Sequence, residues 1–139
     1  MIPLAVPNLT GNEKIYLDHC IDTTYVSSVG EYVVRLEKMA EDETGSAFAV
    51  ATSAGTTGLH AALTAAGVGM GDLVILPTFT FIASANAVAH CGAIPWLMDI
   101  DSTWCMDAET VNKEIAKNCE KRDGKLIHLG TGRKVAAVM

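Results

Sequence analysis

Aromatic residues are scarce in this chain, only 6% of the 139 positions, and the interior must therefore be built from Ala, Val, Ile and Leu. That composition suits α/β layering. Basic residues are also few: 10 Lys and Arg stand against 16 Asp and Glu, leaving a formal charge of −6. Without a basic run or aromatic-basic interleaving, a nucleic-acid groove is excluded. An acidic chain can still hold a phosphate where backbone N–H groups at a helix start supply the local field. The four cysteines, Cys20, Cys91, Cys105 and Cys119, form no CxxC pair, so neither a zinc site nor a disulfide framework is indicated, and reduced, mostly buried thiols are expected. No stretch reaches about 18 apolar residues, and Met1-Ile2-Pro3-Leu4 lacks the basic flank and long apolar run of a signal peptide, which points to the cytoplasm and to no membrane partner.

What is present is half hydrophobic and of a length that buries about two-thirds of the surface of the unfolded chain. Asn8-Leu9-Thr10-Gly11 can cap a first helix carrying Ile15, Leu17, Cys20 and Ile21, and Val33, Leu36, Met39 and Ala40 are spaced for a second, amphipathic one. Residues 1–45 thus read as an N-terminal helical arm, and residues 46–139 as an incomplete α/β cofactor-binding domain. From Ala47 onward short apolar runs alternate with helical periodicity. Ala47–Ala51, Leu73–Leu76, Ile94–Met98 and Val135–Met139 read as buried strands, and Thr56–Ala66, Phe81–His90 and Asp107–Asn118 as helices. The β-α-β-α-β-α-β order predicts a mixed, mostly parallel sheet with flanking helices. Gly67 to Asp72 closes the first of these helices, Gly92 the second as its C′ residue, and Lys125–Leu129 reads as a small hairpin or excursion. The apolar strand at Val135–Met139 ends the chain without a loop or polar tail, as expected of a truncated domain.

Two segments carry chemistry. Thr52-Ser53-Ala54-Gly55-Thr56-Thr57-Gly58 lies between an expected strand and an amphipathic helix. Glycine admits close approach to backbone N–H groups, the helix start is electropositive and the threonines add donors, which makes an anion site. An ordinary capped helix start accounts for the same residues. No Gly-Lys-Ser/Thr follows, so this is not a P-loop. Leu76-Pro77-Thr78-Phe79-Thr80-Phe81 puts two aromatics at a strand's C-terminal end, where open α/β sheets bind ligands. They can stack on a planar ring, or fill a layer between sheet and helix. His60 and His90 lack partners at ligand spacing and read as structural; Asp99 and Asp101 are a possible metal pair but better a polar loop; Tyr25 and Tyr32 are candidates for a subunit interface.

Taken together, Ser53 to Leu63, Gly69 to Ala83, Asn86-Ala87-Val88, Gly92-Ala93-Ile94-Pro95 and Asp99-Ile100-Asp101 resemble the DegT/DnrJ/EryC1/StrS sugar aminotransferases. Val6 to Glu13, Val26 to Gly30 and Trp104 to Asp107 are similar more narrowly to the branch acting on nucleotide-linked amino sugars for legionaminic-type nonulosonic acids. The resemblance implies the large-domain fold of these enzymes, pyridoxal 5'-phosphate (PLP) as cofactor, and a homodimer transferring an amino group from an amino-acid donor, glutamate, to a nucleotide-linked keto-sugar in surface-polysaccharide biosynthesis. It implies that Gly55 and Thr56 hold the cofactor phosphate, that Phe81 stacks on the pyridine ring, and that Thr24 to Gly30 lie near the sugar nucleotide. The family has Glu where this chain has Leu73. It also has a Schiff-base lysine and an aspartate paired with the pyridine nitrogen, both C-terminal to everything present here. None of Lys14, Lys38, Lys113, Lys117, Lys121, Lys125 or Lys134 stands in a matching context, so no catalytic residue is assigned and the chain alone is expected to be inactive. A non-catalytic phosphate- or nucleotide-binding module, and a PLP-dependent sugar dehydratase of the same family, are the alternatives.

Overall fold

A computed structural model describes residues 2–3 and 5–139 of the chain. Two compact units follow one another, residues 1–51 and 52–139. The first contains α1 (Glu13–Asp22) and α2 (Glu31–Thr44), joined by a turn. Tyr16 and Tyr32 meet at 5.1 Å between ring centroids, and the Tyr32 hydroxyl lies 3.0 Å from His19 Nδ1. Neither helix has a buried residue.

The expected strand at Ala47–Ala51 does not form. Its apolar side chains face outward, Phe48 being 86% and Val50 82% exposed. The reason is visible in its hydrogen bonds: Ala49 N–H donates to Glu41 Oε1 at 3.3 Å and Ala51 N–H to Glu37 Oε1 at 2.8 Å. Two carboxylates of α2 occupy donors that a sheet ladder would need, and an apolar run becomes a strand only when a neighbouring strand accepts it.

The second unit contains α3 (Gly55–Ala65), β1 (Leu73–Pro77), α4 (Ile82–His90), β2 (Ile94–Met98), α5 (Ala108–Asn118), β3 (Cys119–Arg122), β4 (Lys125–His128) and β5 (Val135–Val138). A parallel sheet in the order β2-β1-β5 forms its centre. β1 is the middle strand, and its run Leu73-Val74-Ile75-Leu76 is buried throughout, as a strand covered on both faces must be. Side chains alternate along a strand, so Val74 and Leu76 reach one side and meet Leu63, Ala87 and Val88 of α3 and α4. Leu73 and Ile75 reach the other side and meet Met98, Val111 of α5 and Val135. The fold is thus a mixed α/β arrangement with a parallel sheet between helices.

β3 and β4 pair as a separate antiparallel hairpin turning at Asp123-Gly124. The turn at Asp123-Gly124 was legible from its glycine, but Lys125–Leu129, expected as a small hairpin or excursion, supplies only the second strand of the hairpin; the first, Cys119–Arg122, was not expected. The thiols are free, as expected, but less buried than expected: Cys105 is exposed and the other three are half-buried. Among the described residues no helix is long and apolar enough to cross a membrane.

Two local features yield predictions. Gly92 follows α4 with φ of 70°, and an added Cβ would lie 3.0 Å from Met70 Sδ and 3.4 Å from Met70 Cα. Gly92→Ala is expected to destabilise the chain by about 1–2 kcal/mol, the cost of a left-handed residue with a Cβ, read as a lower urea midpoint at unchanged slope. Asp107 caps α5 by accepting from Thr110 Oγ1 and from the Glu109 and Thr110 N–H groups. The Thr110 hydroxyl first, then these two amides, hold its carboxyl below the ordinary range. A depressed carboxyl contributes stability above its unfolded pKa of about 4 and loses it as pH falls through the folded value. Urea midpoints measured from pH 5 down to pH 2 should therefore fall less steeply in Asp107→Asn than in the parent chain.

Candidate functional site

α3 begins without the usual side-chain cap, because Ala54 occupies the N-cap position. Thr57 takes over part of that task from inside the helix: its Oγ1 accepts from Ala54 N–H at 3.1 Å and donates to Ala54 O at 2.7 Å. Thr52 Oγ1 also donates to Ala54 O at 3.1 Å, and Gly58 N–H completes the first helical bond there. Thr52, Thr57 and Ala54 thus satisfy one another. The N–H groups of Gly55, Thr56 and Thr57, and the Thr56 hydroxyl, find no acceptor among the described residues. Nothing lies within 4 Å of where a Gly55 Cβ would stand, so the approach to these donors is open. Free N–H groups at a helix start, accessible and electropositive, form an arrangement that accepts an anion.

Phe81 is the N-cap of α4, at the far end of the short loop that follows β1. Its ring is 80% exposed and that of Phe79 is 62% exposed. Neither fills a layer between sheet and helix.

α3 and α4 pack together over one face of the sheet. α3 and α4 run side by side, with His60 against His90 at 5.6 Å between ring centroids and Thr64 Oγ1 3.8 Å from Cys91 Sγ. The second half of α3 therefore lies beside the end of α4. α4 begins just beyond the C-terminal end of β1, so Phe81 stands at the usual ligand edge of such folds.

Phe79 packs on Trp104 of the β2–α5 loop, with centroids 5.0 Å apart and planes at 54°. Sequence reasoning used Trp104 only within the subfamily resemblance and did not pair it with Phe79, which is 25 positions away and meets it only because β1 and β2 are adjacent. Asp101 belongs to that loop, where it accepts from Thr103 N–H at 2.7 Å and Thr103 Oγ1 at 2.5 Å. These bonds, the hydroxyl's first, hold its carboxyl below the ordinary range. It serves a turn, as a polar loop residue.

Lys134 is the least exposed of the lysines; it precedes β5, at the opposite end of the parallel strands, and pairs with Asp72 at 2.8 Å. Lys14, Lys38 and Lys113 pair with carboxylates on their own helices. In the first unit a cleft of about 230 Å³ is lined by His19, Tyr25, Ser27, Gly30 and Tyr32, which includes part of the Thr24 to Gly30 segment.

Comparison with known proteins places this geometry in context. The sequence model described as the DegT/DnrJ/EryC1/StrS aminotransferase family matches residues 7–126. A curated relative, the GDP-perosamine synthase of Caulobacter vibrioides, is 51% identical over 108 residues, which are 77% of this chain and 29% of the relative. A DegT/DnrJ/EryC1/StrS aminotransferase structure from Brucella abortus superposes with a TM-score of 0.72 at 27% identity, covering 90% of this chain and 31% of that one. The PLP form of a sugar aminotransferase from Streptococcus pneumoniae gives 0.68 at 29% identity, covering 81% and 29%. The chain therefore spans less than a third of the length of each of these proteins.

Proposed function

The chain belongs to the DegT/DnrJ/EryC1/StrS aminotransferase family, and on that premise we propose that it is the cofactor-phosphate and ring-stacking portion of a PLP-dependent sugar aminotransferase. The observation that carries this reading is the open α3 start, with three backbone N–H groups and the Thr56 hydroxyl without acceptors among the described residues, together with the exposed Phe81 beyond the end of β1. Gly55, Thr56 and Thr57 bind the phosphate, whose approach the missing Gly55 Cβ leaves open, and Phe81 orients the pyridine ring by stacking. When bound, the cofactor supplies an electron sink for amino-group transfer.

For the whole protein we propose transfer of an amino group from an amino acid, glutamate, to a nucleotide-linked keto-sugar, in the cytoplasm and by a homodimer. The name of the Caulobacter relative supports a GDP-linked sugar. Resemblance of Val6 to Glu13, Val26 to Gly30 and Trp104 to Asp107 to the legionaminic-type branch supports a nonulosonic-acid precursor instead, and differential binding of the corresponding nucleotides to the chain would separate the two.

The chain by itself is proposed to bind the cofactor without turning over, because none of its lysines stands in the sequence context of the family's Schiff-base lysine. The test is absorbance of the purified chain with PLP before and after borohydride, with mass spectrometry of the product. Phosphate-dependent binding without a site-specific adduct is expected. A stoichiometric adduct on one lysine would overturn the inactivity, and absence of any binding would remove the site assignment.

A further inference from the structure

Trp104 is held with φ of 66°, a left-handed backbone that bulky residues rarely adopt. The surrounding turn enforces it. Trp104 N–H donates to Asp101 O at 3.1 Å, Asp101 N–H donates to Cys105 O at 2.9 Å, and Ile100 bridges Met106 across the loop. The Asp101 carboxylate tightens the same turn by accepting from the Thr103 amide and hydroxyl. The product of all these bonds is an indole, 66% exposed, set against Phe79.

Phe79 in turn sits in the middle of the loop that carries Phe81. One end of that loop is tied to β2, where Thr78 N–H donates to Met98 O at 2.8 Å. Its other end is tied to α4, where Ser84 N–H donates to Phe81 O at 3.0 Å and Thr80 Oγ1 lies 3.0 Å from Ser84 Oγ. Between the two ties Phe79 has no backbone hydrogen bond among the described residues, and its ring rests on Trp104.

We propose that Phe79 and Trp104 form an aromatic clasp between the β1–α4 and β2–α5 loops, and that Trp104 is a positioning residue which sets the place of Phe81. The consequence for cofactor binding rests on the reading of Phe81 as the ring-stacking residue. Trp104 acts through Phe79 and touches no reacting atom.

Trp104→Gly separates positioning from folding, because glycine removes the indole and relieves the left-handed strain at once. Amide hydrogen exchange at Ser84 is measured in the free chain, urea stability beside it, and affinity for pyridoxamine phosphate, which cannot form an imine with stray lysines, by calorimetry. Trp104→Gly is expected to lower Ser84 protection and pyridoxamine phosphate affinity each by about threefold to tenfold, the size of an aromatic-pair contact, while the urea midpoint stays level or rises. Trp104→Phe should restore both. Unchanged Ser84 protection in Trp104→Gly overturns the clasp, and so does a loss of protection that only tracks the urea midpoint. Lowered protection with unchanged affinity overturns the link to Phe81. A parent chain that does not bind pyridoxamine phosphate overturns the site assignment instead, and Ser84 exchange then decides the clasp alone.

Discussion

Gly55→Asp is expected to leave the stability of the chain unchanged or slightly raised and to weaken binding of pyridoxamine phosphate by more than about tenfold. The two effects have opposite signs because they draw on one field. An acidic side chain in the first turn of α3 interacts favourably with the helix start, worth about 0.3–1 kcal/mol, and replacing glycine removes backbone freedom from the unfolded chain. Space is available, since nothing lies within 4 Å of the new Cβ. The same carboxylate stands where the phosphate would arrive. A unit charge about 5 Å from a phosphate dianion in water opposes it by roughly 1.7 kcal/mol, which exceeds one decade in affinity. Calorimetric titration at low and at high salt, with urea unfolding of both proteins, measures both signs. Screening should shrink the affinity gap as salt rises. Equal affinities at low salt would mean that the anion binds elsewhere, whatever the helix start offers.

Leu76→Ala is expected to cost about 2–5 kcal/mol of stability, the largest effect of any single substitution named for this chain. Leu76 is fully buried in the middle strand and packs in the cluster with Leu63, Val74, Ala87 and Val88 beneath α3 and α4. Truncation removes its methyl groups from an interior with no other side chain ready to fill the space, so both the transfer loss and the cavity count. Because single domains are stable by only about 5–15 kcal/mol, this change consumes a large fraction of the total. Leu97→Ala in the neighbouring strand provides the contrast. Leu97 is 54% exposed, and its loss should cost less than about 1 kcal/mol. Urea midpoints of the two variants decide the matter: similar values would mean that β1 is not the buried centre of the unit.

Several features of the fold were legible before any coordinates. The run Leu73-Val74-Ile75-Leu76 announced a strand buried on both faces. Ile94–Met98 and Val135–Met139, expected to be buried in the same way, form strands at Ile94–Met98 and Val135–Val138 but are only partly buried, Leu97 being 54% and Val138 55% exposed, because they are the edges of the sheet. α3, α4 and α5 lie within one residue of their expected limits, since their apolar spacing, the acceptor Asp107 and Gly92 are local signals. The candidate site was legible for a similar reason. A Ser-Ala-Gly-Thr-Thr-Gly stretch opening a helix, and aromatics after a strand, need no knowledge of distant contacts to be noticed.

The amino-acid sequence by itself determined where chain segments become helices and strands, which backbone donors are left over at the α3 start, and which family this chain belongs to. These follow from periodicity, capping and motif, which are properties of neighbours along the chain. Only the tertiary structure decided that β5 pairs with β1 on the side opposite β2, that Ala47–Ala51 stays out of the sheet because Glu37 and Glu41 take its amides, and that Trp104 rests on Phe79. Each depends on a partner distant in sequence: a strand exists only where another strand offers its hydrogen bonds, and an aromatic pair only where two loops converge on one edge.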